Sequence, residues 1–395
     1  MGSDINSQWH LIRRILCHYE SRPRPLRPPP LAPFHAALRS AFLACPANRV
    51  GADSTPTLAT DAAGELWPSP PDITLYVQGR PIEAHRVILA ARSPYFRTKL
   101  ATEWRNRKEV TFSSRHSLSF KLMHMLVDFF YSDRCEVAAE DLEDFARICK
   151  ACKCTGMVKR LTAHKKRRDT RTRELGRDYS QRPFVLQGRS MDHRAEDGLP
   201  SALRRILHDS LANSREEDLR NSELAETCRS SAYDDLADVC IKVGDRVFRC
   251  HQLILTLRSE YFKTRLSRRT DFLHSNGGEL PLLEEHDVSA EAFEKMLEYV
   301  YTDELEDLDD DDPLSMAEEL FDIASRYLLF PLKRVVADLL LPHLDLDLVS
   351  PAEICRWLML SDMYDVAKVR EHCQDIIDRN FEAFAESQGS SGPCF

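Results

Sequence analysis

Apolar and polar residues alternate in two short runs that lie far apart in the chain. Asp72-Ile-Thr-Leu-Tyr-Val and Asp238-Val-Cys-Ile-Lys-Val each place an apolar side chain at every second position, the period of a strand with one buried face. Both runs meet a turn containing glycine, Gly79 or Gly244, and then a second short strand. The period then lengthens. Val87-Ile88-Leu89 and Leu253-Ile254-Leu255 open apolar stretches of helical character. A short strand follows, Val110 to Phe112 or Leu280 to Leu283, and then a helix with Met123, Leu126, Val127 and Phe130 on one face in the first copy. A last helical stretch closes each unit, Leu142 to Leu161 or Leu314 to Leu341. Each unit reads β-β-α-α-β-α-α over roughly 90–105 residues, which predicts a small α+β domain used twice.

Particular residues recur at the same places in both units. A histidine, His85 or His251, stands thirteen residues after the aspartate, and a serine, Ser93 or Ser259, eight residues after the histidine. The aromatic pair Tyr95-Phe96 or Tyr261-Phe262 comes next, and the later helix ends in Phe130-Tyr131-Ser132-Asp133 or Val300-Tyr301-Thr302-Asp303. This set resembles the BTB/POZ family, whose pattern has an aspartate opening a strand, a histidine entering a helix, a serine before an aromatic pair, and an F/Y-Y-S/T-D/G helix end. The resemblance spans 71–161 and 238–345 and implies two tandem BTB/POZ domains. Within the family, the layout is most like the plant-type ankyrin-repeat and BTB/POZ proteins. The chain departs from them in showing no 33-residue helix-pair repeat before residue 72.

What the resemblance implies is interaction. BTB/POZ domains commonly dimerise, and many recruit a cullin scaffold and so present a substrate to a ubiquitin ligase. Two copies on one chain are expected either to pair with each other or to make a homodimer. In cullin-binding members a hydrophobic-x-Glu motif precedes the third strand. The matching stretch here is Leu100 to Asn106, where Trp104 supplies the apolar residue and Asn106 replaces the acid. In the second copy it is Phe272-Leu273-His274. Trp104, Arg105, Phe272 and Leu273 are the candidate partner interface. Asp72, His85, Ser93, Tyr95, Phe96, Tyr131, Asp238, His251, Ser259, Tyr261, Phe262 and Tyr301 are read as structural.

Outside the repeat, residues 1–70 are rich in proline and arginine and are expected to form a disordered tail. The tail carries a PxxP spacing at Pro25 and Pro28 and shares its acid-poor composition with organellar transit peptides. The segment 162–237 reads as a charged linker with one docking helix, where Leu203, Ile206, Leu207 and Leu211 share a face. Ser350-Pro351 starts a C-terminal extension over 350–386, two helices resembling the BACK region that follows many BTB/POZ domains.

Charge and candidate chemistry narrow the function further. The net charge of −9 disfavours a protein built to hold nucleic-acid backbone. No apolar run reaches the ~20 residues that span a bilayer, and twelve cysteines spread over 395 residues suit a reducing compartment, cytoplasmic or nuclear. Cys149, Cys152 and Cys154 contain one C-x-x-C but lack the second ligand pair of a zinc site, so they are read as core. Between Lys153 and Arg173 there are nine basic residues and one acid, which makes Lys165, Lys166, Arg167 and Arg168 a candidate nuclear-import signal. Asp303 to Asp312 holds eight acids without the glycine of a calcium loop and reads as a flexible acidic loop. No motif of nucleotide binding, hydrolase or metalloprotease chemistry occurs. The reading is therefore a non-enzymatic adaptor with no catalytic, cofactor or metal site. It joins a cullin ligase or, as the alternative, acts as a nuclear scaffold or transcriptional co-regulator.

Overall fold

The computed structural model describes residues 34–48, 70–112, 118–175, 183–186, 198–220, 236–267, 281–308, 311–381 and 384. They form two compact bodies, one from residues 32–290 with 300–303 and one from 291–299 with 304–395.

The first body opens with helix α1 (Phe34–Ala44) and a 3-10 turn, Pro46–Asn48. This helix lies inside the segment expected to be disordered. Leu38 and Phe42 are fully buried on it, which explains why it orders: a tertiary partner covers its apolar side. Strands β1 (Ile73–Val77) and β2 (Arg80–Ala84) form the expected hairpin, and β3 (Glu109–Thr111) adds parallel to β1. Leu75 sits opposite both Ile82 and Val110, so alternate residues of all three strands fill one face. Gln78 and Gly79 both have positive φ, the two-residue hairpin turn that favours glycine. Then come α2 (Arg86–Arg92), α3 (Pro94–Ala101), α4 (Phe120–Ser132), β4 (Cys135–Val137), α5 (Leu142–Ala151) and α6 (Thr155–Leu175). The stretch predicted as one helix from Leu142 breaks at Lys153, which takes φ +56 and lets the Cys154 N–H return to the Cys149 carbonyl at 2.8 Å.

The expected linker is more ordered than its composition suggests. Strand β5 (Phe184–Leu186) pairs antiparallel with β4, and α7 (Leu199–Arg220) buries Leu203, Ile206 and Leu207. The second copy repeats the first with β6 (Val239–Val243), β7 (Arg246–Cys250), α8 (Gln252–Arg258), α9 (Glu260–Ser267) and β8 (Leu282–Glu285). The sheet order β7-β6-β8 reproduces β2-β1-β3. Helix α10 (Ala290–Thr302) follows.

The second body is helical. It holds α11 (Pro313–Arg326), α12 (Phe330–Leu340), α13 (Pro351–Met363) and α14 (Ala367–Arg379). Leu328 takes φ +56 between α11 and α12, as Lys153 does in the first copy. The Ser350 hydroxyl caps α13 by accepting the Glu353 N–H at 3.2 Å, as its sequence predicts. Ile354, Trp357, Leu358 and Val369 are fully buried, whereas Met363 and Phe381 are exposed.

Candidate functional site

Each copy builds one polar clasp from residues far apart in sequence. The Asp72 carboxylate accepts the Arg86 N–H at 2.7 Å, and Asp238 accepts that of Gln252 at 2.6 Å. His85 and His251 are the residues before α2 and α8, with extended backbone and no capping bond from their own side chains. The aspartate at the strand start therefore satisfies a first-turn donor that would otherwise be orphaned.

The histidines turn inward. The His85 N–H donates to the Tyr131 hydroxyl at 2.7 Å, and His85 Nδ1 lies 2.9 Å from the same oxygen. In the second copy the His251–Tyr301 distances are 3.1 and 2.8 Å. In each copy the tyrosine hydroxyl and the imidazole Nδ1 share one hydrogen bond, and burial favours the neutral imidazole at His251. Burial pushes both tyrosine hydroxyls well above their usual range. Burial, with Arg249 nearby, pushes His251 down to about 3.

A pH dependence follows. His251 binds its proton more weakly folded than unfolded, so its contribution to stability is complete above about 6.5 and is lost as pH falls towards about 3. The expected slope reaches about 1.4 kcal/mol per pH unit. Denaturation midpoints measured from pH 7.5 to 4.5 should fall less steeply in His251→Asn, which keeps an acceptor for Tyr301. Parallel profiles would contradict the neutral, buried state.

Ser93 and Ser259 cap the next helices, accepting from Phe96 and Phe262 N–H at 3.3 and 3.2 Å. Ser93 also donates to the Cys152 carbonyl at 2.6 Å, which ties α3 to the break between α5 and α6. The aromatic pairs divide their roles: Phe96 and Phe262 are fully buried, and Tyr95 and Tyr261 are half-buried at the edge. Asp133 and Asp303 end α4 and α10 in the left-handed region, with φ 53 and 65, a conformation that aspartate tolerates better than most residues. Each pairs with the arginine that ends the first helix of its copy, Arg92 of α2 or Arg258 of α8. Among the described residues, only Asp133 goes further. Its second oxygen accepts the Leu199 N–H at 2.8 Å, capping α7. Asp303 is 46% exposed, against 9% for Asp133.

Matching residues of both copies also face a common cleft of about 590 Å³. Asp72 and Asp238, His85 and His251, and Val87 and Leu253 all line it. The model of the BTB/POZ domain family matches residues 66–168 and again 228–344, more than half of the chain. The chain belongs to the BTB/POZ family.

Among curated proteins, the chain is 33% identical over 123 residues to "TD and POZ domain-containing protein 2" of Mus musculus, covering 27% of this chain and 34% of that protein. It is 26% identical over 122 residues to the Broad-complex core protein of Drosophila melanogaster, covering 31% of this chain and 16% of that one. The chain thus spans about a third or less of the length of these relatives. Among solved structures, the BTB domain of human Gigaxonin aligns at 22% identity and TM-score 0.21, over 24% of this chain and 75% of that one. The BTB domain of zebrafish PATZ1 aligns at 21% identity and TM-score 0.23, over 34% and 87%. BTB/POZ domains are protein–protein interaction modules that also mediate dimerisation.

The BTB/POZ framework separates the expected contact residues from the core. Trp104 is not on the surface: it is 6% exposed, with its ring centroid 5.9 Å from Tyr95, 6.0 Å from Phe96 and 5.8 Å from Phe112. The turn after α3 folds the chain back, with the Trp104 N–H on the Lys99 carbonyl at 2.8 Å, and this sends the indole inward. Arg86 holds the same turn from outside, donating to the carbonyls of Trp104 and Arg105 at 3.0 Å each. Arg105 is exposed, as is Glu103. Phe272 and Leu273 lie outside the described residues, as do Pro25 and Pro28.

The cysteines and charged runs are placed as follows. Cys149, Cys152 and Cys154 are buried at the α5–α6 break, and burial pushes the thiols of Cys149 and Cys152 up. That environment opposes the thiolate a redox or metal role requires. Lys165, Lys166 and Arg167 are exposed on α6, and Lys165 pairs with Glu143 at 3.0 Å. The acidic segment is anchored more than its composition suggests: Leu305 and Leu308 are buried, and Asp312 caps α11 by accepting the Ser315 N–H at 3.0 Å.

Proposed function

We propose that the chain is a non-enzymatic adaptor that joins a substrate to a cullin scaffold of a ubiquitin ligase. The observation that carries this reading is the presence of two BTB/POZ copies, each with its strand-start aspartate, His–Tyr pair and capping serine in place. These polar groups are spent on holding the domain, which leaves function to its surfaces. The exposed turn around Glu103 and Arg105, stapled by Arg86, is the proposed cullin-facing site in the first copy. Helices α13 and α14 are proposed as a BACK-like extension that positions the substrate. Among the described residues, no helix is long and apolar enough to cross a membrane, and the proposed partners are proteins in the cytoplasm or nucleus. The two-copy layout makes a relationship to the plant-type ankyrin-repeat and BTB/POZ proteins the favoured subfamily.

The test is capture of the BTB-binding cullin from extract by the purified full chain, with Glu103→Lys and Arg105→Glu as surface variants. Capture weakened at least about tenfold by these variants supports the site. Undiminished capture moves the site elsewhere, and absence of capture removes the ligase reading. A nuclear scaffold or co-regulator is the second reading, favoured by the exposed Lys165-Lys166-Arg167 on α6. Replacing these and Arg168 by alanine should then shift the protein out of the nucleus.

A further inference from the structure

The helix that opens the described chain and the helix inside the linker are counterparts. Aligned without gaps, Ala37-Leu38-Arg39 matches Ala202-Leu203-Arg204, Phe42 matches Leu207, and Ala47-Asn48 matches Ala212-Asn213. Leu38 and Leu203 stand 165 residues apart, and Asp72 and Asp238 stand 166 apart, so helix and core repeat together. Their buried faces agree: Leu38, Phe42 and Leu203 are 0% exposed and Leu207 is 4%.

Their placements agree as well. Helix α1 packs on α4, its 3-10 turn lies on β2 of the same copy, and it also touches α8 of the other copy. Helix α7 packs on β7, the counterpart of β2, and crosses to α2, the counterpart of α8. Each copy therefore lends its leading helix to the first helix of the other. Such reciprocity is the mark of a self-complementary, two-fold interface. The cleft lined by Asp72 with Asp238 and His85 with His251 is an independent sign of the same relation.

We infer that the repeating unit begins at residues 34 and 199, ahead of its strands, and that the two copies close on each other within one chain by exchanging these helices. The partner for this face is the chain's own second copy. The tether makes the pairing intramolecular and so favours it over capture of a second chain. The inference rests on the interaction-module reading but does not depend on a cullin.

Asn48 is buried and clamps the end of α1 to β2: its amide donates to the Phe42 and Glu83 carbonyls at 2.9 and 2.7 Å, and its oxygen accepts the Glu83 N–H at 3.0 Å.

The test uses the full chain with a protease site inserted between residues 187 and 197, followed by sedimentation at about 1 μM before and after cutting. The expected result is a 45.4 kDa monomer that stays one particle of unchanged mass once cut. A chain of twice that mass, or fragments that separate on cutting, would overturn the inference. Leu38→Ala and Leu203→Ala should each lower Tm by about 5 °C or more, because both side chains are fully buried and each truncation leaves a cavity. An effect for Leu38→Ala alone would overturn the equivalence of the helices. Mass is read without any cullin, so a dimeric result leaves the adaptor reading standing. A failed cullin capture likewise leaves the mass result standing.

Discussion

Trp104→Ala is expected to destabilise the first copy by about 3–5 kcal/mol, the range for removing a large aromatic from a packed core. The indole is 6% exposed and is enclosed by three aromatic rings. Truncation leaves a cavity that Phe96, itself fully buried, cannot move to fill. A urea titration read by tryptophan-independent circular dichroism measures this directly. An unchanged midpoint would return Trp104 to the surface and revive it as a contact residue. The expected loss also changes how binding data are read. Weaker cullin capture by Trp104→Ala would report unfolding of the domain, so Arg105→Glu is the variant that reports on the surface.

Asp133→Ala should cost about as much, and the matching change in the second copy should cost clearly less. Asp133 neutralises Arg92, whose side chain is 2% exposed, and caps α7 through Leu199. Removing one partner of a buried ion pair typically costs about 3–5 kcal/mol, because the other charge is left uncompensated. Loss of a helix cap adds about 1 kcal/mol. Asp303 is 46% exposed, so much of its charge is already screened by water, and the expected cost of Asp303→Ala is about 1–2 kcal/mol. The ranking is the prediction, read from the two denaturation midpoints. Equal losses would mean that the cap on α7 contributes nothing.

The positions legible in the sequence were those whose meaning is local. The alternation in Ile73–Val77 and Val239–Val243, the turn at Gly79 and the Ser350 start each depend on a few neighbouring residues. The repeat sharpened these signals, since two copies in register give His85 with Tyr131 and His251 with Tyr301 a shared explanation. Composition misled where a tertiary partner was decisive. The proline-rich stretch hides α1, which orders because α4 covers Leu38 and Phe42, and the charged linker hides β5, which orders because β4 pairs with it. A comparison of residues 36–48 with 201–213 would have found the leading helices, but its signal is a handful of positions on short amphipathic segments.

The sequence by itself thus determined the two-copy α+β plan and the strand faces, because periodicity and helix-end chemistry act over one or two turns of chain. Only the tertiary structure decided that Trp104 belongs to the core, that Asp133 serves the linker helix and Asp303 does not, and that α1 and α7 cross between copies. Each of those outcomes depends on which surfaces meet in three dimensions, from the rings folded back around Trp104, through Asp133 and Leu199 66 residues apart, to helices more than a hundred residues apart. The free energy of burial is settled there by packing rather than by local preference.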